Sequence, residues 1–378
     1  MKKVLAFILC LILLCGCSNK ETEKGAEEKE LFGIWVTYSE LELAAQNGFD
    51  KGFEEICKNA SQLNANALFV HLRAFSDSVY PSDYFPLTSW AKKLEYDALE
   101  KMVELCHKYS LELHGWINPY RISSSLNSVD ALEDTHPAKI NPSLVGKTQK
   151  GLYFNPALSS VRRLITDGIR EIINGYDIDG IHFDDYFYPT IDEEFDKECY
   201  ELYKSTALSP LSLDDWRRIN IDLLIQSVSM AVRSSEKDIC FSVSPAADIE
   251  KNYNELYADI KGWCQKGYID ALIPQLYFGF NYPLEKFSFE RLTLDWLSLI
   301  GSENVKLYIG LAPYKLDTES LPDKEEWQNG TDIVARQITY IKNQQGISGA
   351  VLFSYSHIFS PGENKEKQKE EIEKILKE

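Results

Sequence analysis

The sequence predicts an α/β fold, a (β/α)8 TIM barrel with long βα loops on its carboxyl-terminal face. Eight short apolar stretches alternate with longer stretches whose apolar residues recur at helical spacing. Strand and helix alternating in this way indicate parallel βα units, and eight such units indicate a closed barrel. The candidate strands are residues 33–38, 65–72, 112–119, 180–187, 239–245, 269–278, 305–314 and 349–356.

Helical patterns lie between these strands. In residues 96–110 the apolar side chains of Leu99, Met102, Val103 and Cys106 recur at helical spacing. Residues 155–176 begin with an Asn-Pro turn and end near a glycine, which predicts a helix with signals at both ends. An open doubly wound sheet is the alternative, but no G-x-G-x-x-G turn follows any candidate strand, which removes the main sign of a nucleotide-binding version.

Two of the connections are long. Residues 73–95 and 120–157 both follow strand ends, and both are rich in aromatic residues. In a barrel such loops lie on the carboxyl-terminal face, where active sites are built. We therefore expect these two loops to contribute to substrate binding.

The amino terminus predicts a secreted lipoprotein. Lys2 and Lys3 precede an apolar run, Val4 to Leu14, which is too short to span a bilayer and indicates a signal peptide. The following "LCGC" is typical of a lipobox, which predicts cleavage after residue 16 and lipidation of Cys17. A plain signal peptide with a chance cysteine is the alternative. The predicted organisation is residues 1–16 as signal, 17–30 as a flexible tether, and 31–378 as the barrel, anchored by lipid outside the cytoplasm.

Charge and cysteine content exclude several kinds of protein. The formal net charge is −18, and loss of Lys2 and Lys3 makes it −20, which disfavours nucleic acid and anionic membrane surfaces as partners. We therefore expect the protein to contact a membrane only through its amino-terminal lipid. Cys57, Cys106, Cys199, Cys240 and Cys264 are scattered and show no C-x-x-C spacing, which argues against a disulfide framework and a zinc site.

Near the ends of four candidate strands, polar residues occupy alternate positions, all odd or all even within a strand. Since residues two apart in a strand share a face, each set should point the same way. A barrel interior is normally filled with branched apolar residues, so these sets predict one shared polar site. A single histidine among them would more often be a core residue. The sets are His71 with Arg73, His114 with Trp116 and Asn118, His182 with Asp184, and Gln275 with Tyr277.

The adjacent Asp184 and Asp185 predict acid–base chemistry. Asp184 shares the parity of His182 and should face inward, whereas Asp185 should turn outward or lie where the strand ends. Two carboxylates this close repel, which raises the pKa of one so that it holds a proton near neutrality. The alternatives are that Asp185 caps the loop or that the pair holds a cation. Only His182 is close in sequence, so we expect no metal and no cofactor.

Aromatic residues at strand ends and in the long loops fit a sugar ligand. Flat, partly polar rings stack on the apolar faces of pyranoses while their edges bond hydroxyl groups. Many of these rings will belong to the core, so only the cluster is informative. Its members are Tyr80, Tyr84, Phe85, Trp90, Tyr120, Tyr153, Tyr186, Phe187, Tyr188, Tyr277 and Phe278.

A set of motifs in order along the chain resembles the glycosyl hydrolase-like 10 family. They are "GIWVT", "HGWINPYR", "YFNPA", "YDIDGIHFDDYFYP", "SVSPAADI", "IDALIPQLYF", "LYIGLAPYK" and "GAVLFSYS". The resemblance spans residues 31–359 and implies a (β/α)8 glycoside hydrolase of the bacterial envelope, with some members associated with peptidoglycan. It places the family's strand-end pattern on Arg73, Asp77, Asn118, Tyr120, His182, Asp184, Asp185, Gln275 and Tyr277. Ala247 and Asp248 depart from that pattern.

Two further resemblances are incomplete. "DGIHFDDY" is similar to the D-G-x-D-x-D-x-E strand of chitinase-type enzymes, with Tyr186 in the place of the acid glutamate. "DGIHFD" is similar to the nucleophile strand of the α-amylase group, with His182 in the place of an arginine. No glutamate lies at a candidate strand end, so the usual pair of carboxylates of retaining enzymes is not visible.

These observations predict a lipid-anchored glycosidase of N-acetylated amino-sugar glycans, such as peptidoglycan strands without peptides. Asp184 and Asp185 are the predicted catalytic residues. The alternatives are a carbohydrate-binding barrel without catalysis and, less favoured, a metal-dependent deacetylase. The predicted substrate-binding residues are Arg73, Asp77, Trp116, Asn118, Tyr120, His182, Tyr186, Gln275 and Tyr277.

Overall fold

The computed structural model describes residues 30–46, 48–301 and 304–377. The predicted signal, the lipidation site at Cys17 and nearly all of the tether lie outside these residues. The strands are β1 (Leu31–Val36), β2 (Ala67–Arg73), β3 (Glu112–Ile117), β4 (Arg121–Ser123), β5 (Val145–Thr148), β6 (Gly151–Phe154), β7 (Gly180–Phe183), β8 (Cys240–Val243), β9 (Ala271–Leu272), β10 (Lys306–Leu307), β11 (Ile309–Leu311) and β12 (Gly349–Leu352). Within the described residues, nine of them form a parallel sheet of order β10-β9-β8-β7-β3-β2-β1-β12-β11.

The barrel closes through a strand that is interrupted once. β10 pairs with β9, whereas β11 pairs with β12, and Tyr308 lies between the two halves. The Tyr308 amide donates to the Leu272 carbonyl at 2.9 Å, and Gly310 donates to Pro274 at 2.9 Å. Residues 306–311 therefore act as one strand in two parts, and the nine strands occupy eight positions. The predicted (β/α)8 barrel is confirmed.

β9 is much shorter than the predicted strand 269–278 because of a proline. Pro274 has no amide hydrogen, so it ends the regular ladder after Leu272. The next residue, Gln275, still bridges Ala246 on one side and Gly310 on the other. The chain thus reaches the carboxyl-terminal rim of the barrel with the Gln275 side chain at the closure point.

Helices surround the sheet and bury its outer face. They are α1 (Tyr38–Gln46), α2 (Phe49–Gln62), α3 (Ala98–Lys108), α4 (Pro137–Ile140), α5 (Ser159–Gly175), α6 (Lys197–Thr206), α7 (Leu213–Arg233), α8 (Ile249–Asn254), α9 (Ile260–Gln265), α10 (Phe289–Ile300), α11 (Lys324–Asn329), α12 (Ile333–Lys342), α13 (Tyr355–Phe359) and α14 (Glu363–Lys377). The apolar stripe predicted for residues 96–110 is buried in α3, which begins after Asp97, whose carboxylate accepts the Leu99 amide. α5 begins four residues later than predicted, because Asn155 instead accepts the Ala157 amide in a turn.

Two cores result from this arrangement. The larger one lies between the sheet and the helices. A smaller one fills the barrel interior, where side chains such as Trp35, Phe69 and Trp116 pack against each other. Large side chains thus fill part of the interior, and the polar residues must share it with them.

The loops on the carboxyl-terminal face carry structure of their own. Residues 120–157 form a small antiparallel sheet of order β4-β6-β5 together with α4. Residues 184–212, between β7 and α7, form a third long connection that contains α6. The sequence pattern predicts only two long connections. It does not reveal the third, because β7 ends at Phe183, four residues before the end of the candidate strand 180–187.

Candidate active site

Asp184 lies at the carboxyl-terminal end of β7, which ends at Phe183. Its side chain is buried and faces the barrel interior, as the strand parity predicts. One carboxylate oxygen, Oδ2, accepts the Trp116 indole N–H at 3.2 Å. The other, Oδ1, accepts the backbone N–H of Tyr186 at 3.1 Å. The carboxyl group is thus fixed by two donors, neither of which carries a charge.

Asp185 follows beyond the end of the strand, which is the second of the two positions that the sequence allows. Its side chain is half-buried and accepts a hydrogen bond from Gln275. The same amide, through Nε2, donates to the Ser244 carbonyl at 3.1 Å. Gln275 therefore orients Asp185. This hydrogen bond connects two motifs that are far apart in the sequence.

The pKa values of both aspartates are higher than those of ordinary surface carboxyl groups. Burial and the negative charge of Asp185 raise the pKa of Asp184 to about 8, against a smaller opposing effect of Arg121. Burial also raises the pKa of Asp185, while the Gln275 hydrogen bond, Lys251 and Arg121 act in the opposite direction. A carboxyl group with a pKa near 8 holds a proton at neutral pH, which is the state that a general acid requires.

Beneath the aspartates, His182 has both ring nitrogens engaged. Nε2 accepts the indole N–H of Trp35 at 3.1 Å, so Nδ1 carries the proton and donates to the Ser242 hydroxyl at 2.8 Å. Burial lowers the pKa of His182 well below its usual value, so the ring is neutral. His182 is fully buried. It therefore supports the site from below rather than contacting a ligand at the rim.

A second histidine holds Trp116 in place. The rings of His71 and Trp116 are stacked with centroids 3.3 Å apart. His71 Nε2 lies 3.4 Å from Asn118 Oδ1, and the Asn118 amide donates to the Ala74 carbonyl at 3.3 Å. These residues form a continuous path from β2 and β3 to Asp184. His114, by contrast, stacks on Phe69 near the start of β3 and belongs to the interior core.

Two tyrosines complete the rim. The phenol of Tyr186 is exposed, and Tyr277 is half-buried beside the rings of Tyr314 and Phe353 at 5.9 Å each. Burial is the main cause that raises the pKa of Tyr277 well above its usual value, and the charges of the two aspartates add to it. Burial and the charges of the two aspartates also raise the pKa of Tyr186 to about 12. Both phenols therefore stay protonated and can donate hydrogen bonds near the acid pair.

The expectation that Arg73 shares the face of His71 is wrong, because the pairing of β2 with β3 shifts register between these two residues. The irregularity turns the guanidinium away from the barrel interior. Its Nη2 donates to the Tyr80 hydroxyl at 2.9 Å and to the Gly168 carbonyl of α5 at 3.4 Å. Arg73 also lies 3.8 Å from the centre of the Phe85 ring. It belongs to the layer between sheet and helices.

Among the described residues, neither Asp77 nor Tyr120 forms a hydrogen bond with the aspartates. The Asp77 carboxylate accepts the Phe75 amide at 3.2 Å in the turn after β2. Tyr120 is buried in the outer core, and burial raises the pKa of its phenol. Of the predicted residues, the structure thus brings together Trp116, Asn118, His182, Asp184, Asp185, Tyr186, Gln275 and Tyr277.

Sequence reasoning missed Arg121, a cation whose charge acts on both aspartates. Arg121, the last residue of "HGWINPYR", donates through Nε to the Ala74 carbonyl at 3.0 Å. Its guanidinium packs between the rings of Phe75 and Tyr186, at 4.5 Å and 4.6 Å from their centres. It opposes the rise in the pKa of both aspartates. The position just past the end of β3 is the signal that could have identified it.

A groove of about 550 Å³ opens beside Asp185. Its walls are formed by the β5–β6 hairpin, the start of the loop after β7, and the end of α8 with the two residues that follow it. Its lining residues are Lys147, Thr148, Gln149, Lys150, Tyr153, Asp185, Tyr186, Phe187, Tyr188, Pro189, Thr190, Ile191, Asp192, Lys251, Glu255 and Leu256. A groove that begins at Asp185 and carries aromatic side chains suits an extended ligand.

Among residues 30–46, 48–301 and 304–377, no group of three or more histidine, cysteine, aspartate or glutamate side chains converges as a metal site would require. In the same part of the chain, no helix combines the length and the apolar character needed to cross a membrane.

Comparison with known proteins identifies the family. The model of the glycosyl hydrolase-like 10 family matches residues 30–329. The chain belongs to this family. A relative, the glycosyl hydrolase YngK of Bacillus subtilis, is 30% identical over 93% of this chain and 74% of its own length. The glycosyl hydrolase DigH of Escherichia coli K12 is 26% identical over 79% of this chain and 74% of its own length. Membership of the family supports a glycan-acting enzyme.

Solved structures share the fold at low sequence identity. The glycoside hydrolase domain of PgaB (BpsB) from Bordetella bronchiseptica has a TM-score of 0.60 and 11% identity over 91% of this chain and 99% of that one. A chitinase from Cycas revoluta has a TM-score of 0.52 and 11% identity over 91% of this chain and 99% of that one. At these identities the likeness shows the barrel fold, and the assignment of chemistry has to come from the site.

Proposed function

We propose that this protein is a glycoside hydrolase that cleaves O-glycosidic bonds in a glycan of N-acetylated amino sugars, such as peptidoglycan strands without peptides. The observation that carries the proposal is the Asp184–Asp185 pair at the carboxyl-terminal end of β7, with the pKa of Asp184 raised to about 8. Membership of the glycosyl hydrolase-like 10 family and the names of YngK and DigH support it.

Asp184 is the proton donor in this proposal. It is the more buried of the two and has a pKa above neutrality, so it delivers its proton to the glycosidic oxygen as the bond to the anomeric carbon breaks. Asp185, held by Gln275, keeps its negative charge and stabilises the positive charge that develops on the sugar.

The substrate's own acetamido group is the proposed nucleophile. Its carbonyl oxygen bonds to the anomeric carbon while the leaving oxygen takes the proton of Asp184, and water then opens the cyclic intermediate. This substrate-assisted route is known for some glycoside hydrolases that lack the usual pair of carboxylates. Trp116 and Tyr277 lie beside the pair and would position the sugar.

Product analysis tests the proposal. The chain from residue 31 onward is incubated with peptidoglycan strands without peptides, chitin oligosaccharides and α-glucans, and the products are identified by mass spectrometry. We expect shortened amino-sugar strands and intact α-glucans. Intact strands that remain bound to the protein after long incubation would instead indicate a carbohydrate-binding barrel without catalysis.

We also propose that the protein is anchored outside the cytoplasm by a lipid on Cys17. The support is the sequence alone: two lysines, a short apolar run and "LCGC", followed by a polar tether. Mass spectrometry of the protein extracted from membranes should find a lipidated amino terminus at Cys17. An unmodified amino terminus at or after Cys17 would contradict this proposal.

A further inference from the structure

Three lysines from separate parts of the chain line the groove beside Asp185. Lys147 lies on β5, Lys150 lies in the turn before β6, and Lys251 lies on α8. Lys147 and Lys150 are exposed, and so is Lys251. On a chain whose formal net charge is −18, three lysines that line one groove next to the acid pair are unexpected.

These lysines differ from others nearby because they have no carboxylate partner among the described residues. Lys139 pairs with Asp134 at 2.8 Å. Lys197 pairs with Glu194 at 2.7 Å. None of the three ammonium groups is in an ion pair with a described side chain, although the charge of Lys251 acts on Asp185. An anion bound in the groove would therefore be attracted by all three.

The described carboxylates that line the groove form no ion pairs with these three lysines. Besides Asp185, they are Asp192 and Glu255. Asp192 accepts the Glu194 amide at 3.0 Å and thereby caps the following turn. No ion pair joins Glu255 to Lys251 within the described part of the chain, although both lie at the same wall. The groove therefore presents free ammonium groups beside an aromatic wall that contains Tyr153 and Tyr186.

We propose that this groove binds an acidic sugar of the glycan, with the sugar carboxylate held by Lys147, Lys150 and Lys251 and the ring beside Tyr153 and Tyr186. The inference rests on the proposed hydrolase function, since the groove opens at the aspartate to which that function assigns chemistry. It narrows the substrate class from N-acetylated glycans in general to those in which some sugars carry a carboxylate.

Binding measurements test the inference without depending on turnover. Isothermal titration in an Asp184→Asn background compares three probes: peptidoglycan strands without peptides, the same strands with their lactyl carboxylates reduced to alcohols, and chitin oligosaccharides. The variant Lys147→Gln/Lys150→Gln/Lys251→Gln should bind the carboxylated strands about ten-fold more weakly, because three exposed ion pairs are lost. Its affinity for the two uncharged probes should not change.

A matched control separates the groove from the general charge of the protein. Lys51→Gln/Lys93→Gln/Lys261→Gln removes the same charge from exposed lysines outside the groove and should bind all three probes as the parent does. Because Lys251 also acts on Asp185, the double variant Lys147→Gln/Lys150→Gln is measured beside the triple and should still weaken binding of carboxylated strands. The preference for carboxylated strands should decline as ionic strength rises.

The outcomes distinguish this inference from the proposed function. Equal affinity of the unsubstituted groove for carboxylated and reduced strands, or unchanged affinity in the triple variant, overturns the acidic-sugar groove even when the active protein cleaves both strands. Conversely, lysine-dependent binding of carboxylated strands without any cleavage by the active protein supports the groove and contradicts the hydrolase.

Discussion

The loop after β7 holds two buried carboxylate groups with opposite surroundings. Asp196 accepts Arg217 Nε at 2.9 Å and Arg217 Nη2 at 2.6 Å, and it also accepts the Tyr188 hydroxyl. Asp184 accepts only an indole and an amide N–H and faces the negative charge of Asp185. Both side chains are buried. A buried acid with a complete set of charged donors stabilises a fold, whereas one without a bonded cation keeps a proton that it can transfer.

The largest expected effect is the loss of turnover when Asp184 or Asp185 is replaced. Asp184→Asn and Asp185→Asn should each lower kcat by about 10³-fold, within the range typical of lost acid–base catalysis. Burial raises the folded-state pKa of Asp184, so its ionisation opposes folding above the unfolded pKa, and Asn removes that cost. The melting temperature should therefore stay equal or rise.

Rate assays and thermal unfolding of both variants check this expectation, with Asp177→Asn as an exposed control. Near-normal turnover in both variants would contradict the acid-pair assignment. A large fall in melting temperature would show that the pair resembles Asp196 after all.

Loss of the Arg217–Asp196 ion pair should lower the stability of the fold. Arg217→Met removes one partner of a fully buried ion pair and leaves the Asp196 charge unpaired, which should cost about 3–5 kcal/mol of unfolding free energy. Arg291→Met removes an exposed pair with Asp295 and should cost no more than about 1 kcal/mol. Denaturant titration of the two variants measures the difference. Equal stability of both would contradict the structural role of the Arg217–Asp196 pair.

The hydrogen bond that orients Asp185 should matter less than the pair itself. Gln275→Ala removes a donor to a charged group, which should lower kcat/KM by about ten- to a hundred-fold. Gln275→Glu replaces the donor with a second negative charge and should be lower still. Steady-state kinetics checks both, and activity of Gln275→Ala equal to that of the parent would show that Asp185 needs no such orientation.

The pH profile should reveal which aspartate holds the proton. Asp184 is the active acid only while protonated, so kcat/KM should fall about ten-fold per pH unit above the pKa of about 8. Arg121 lowers this pKa, so Arg121→Gln should move the alkaline limb to higher pH. Rates measured across the alkaline range test this, and a limb that stays in place in the variant would contradict the assignment to Asp184.

The smallest effect is expected at Arg73, which the family resemblance assigns to the site. Nε and Nη1 of this buried guanidinium have no partner in the described part of the chain. Arg73→Met should therefore leave kcat/KM within about three-fold and keep or raise stability, because an incompletely bonded buried charge is removed. Kinetics and thermal unfolding check this, with Arg121→Met as the contrasting variant. A loss of activity as large as that of Arg121→Met would return Arg73 to the site.

Much of the site could be read from local patterns. Strand periodicity correctly predicted that Asp184 and His182 face the interior. The alternate spacing of polar residues in four strands correctly predicted that Trp116, Asn118 and Gln275 lie in one site. The same rule failed for Arg73, because a register shift in β2 reverses the faces and depends on the pairing with β3. Parity also could not identify Arg121, which lies beyond the end of β3, at the start of β4.

The sequence by itself determined the eight strand positions, the alternation with helices and the acid pair at the end of the fourth, because hydrophobic periodicity and motif spacing are properties of neighbouring residues. Only the tertiary structure decided which groups meet across the chain. It placed the sulfur atoms of Cys57 and Cys106 3.9 Å apart, joined Arg217 to Asp196, and brought Lys251 and Lys147 to the same groove. Such contacts follow from the closure of the barrel, which depends on pairings between distant strands and so leaves no signal in any single stretch.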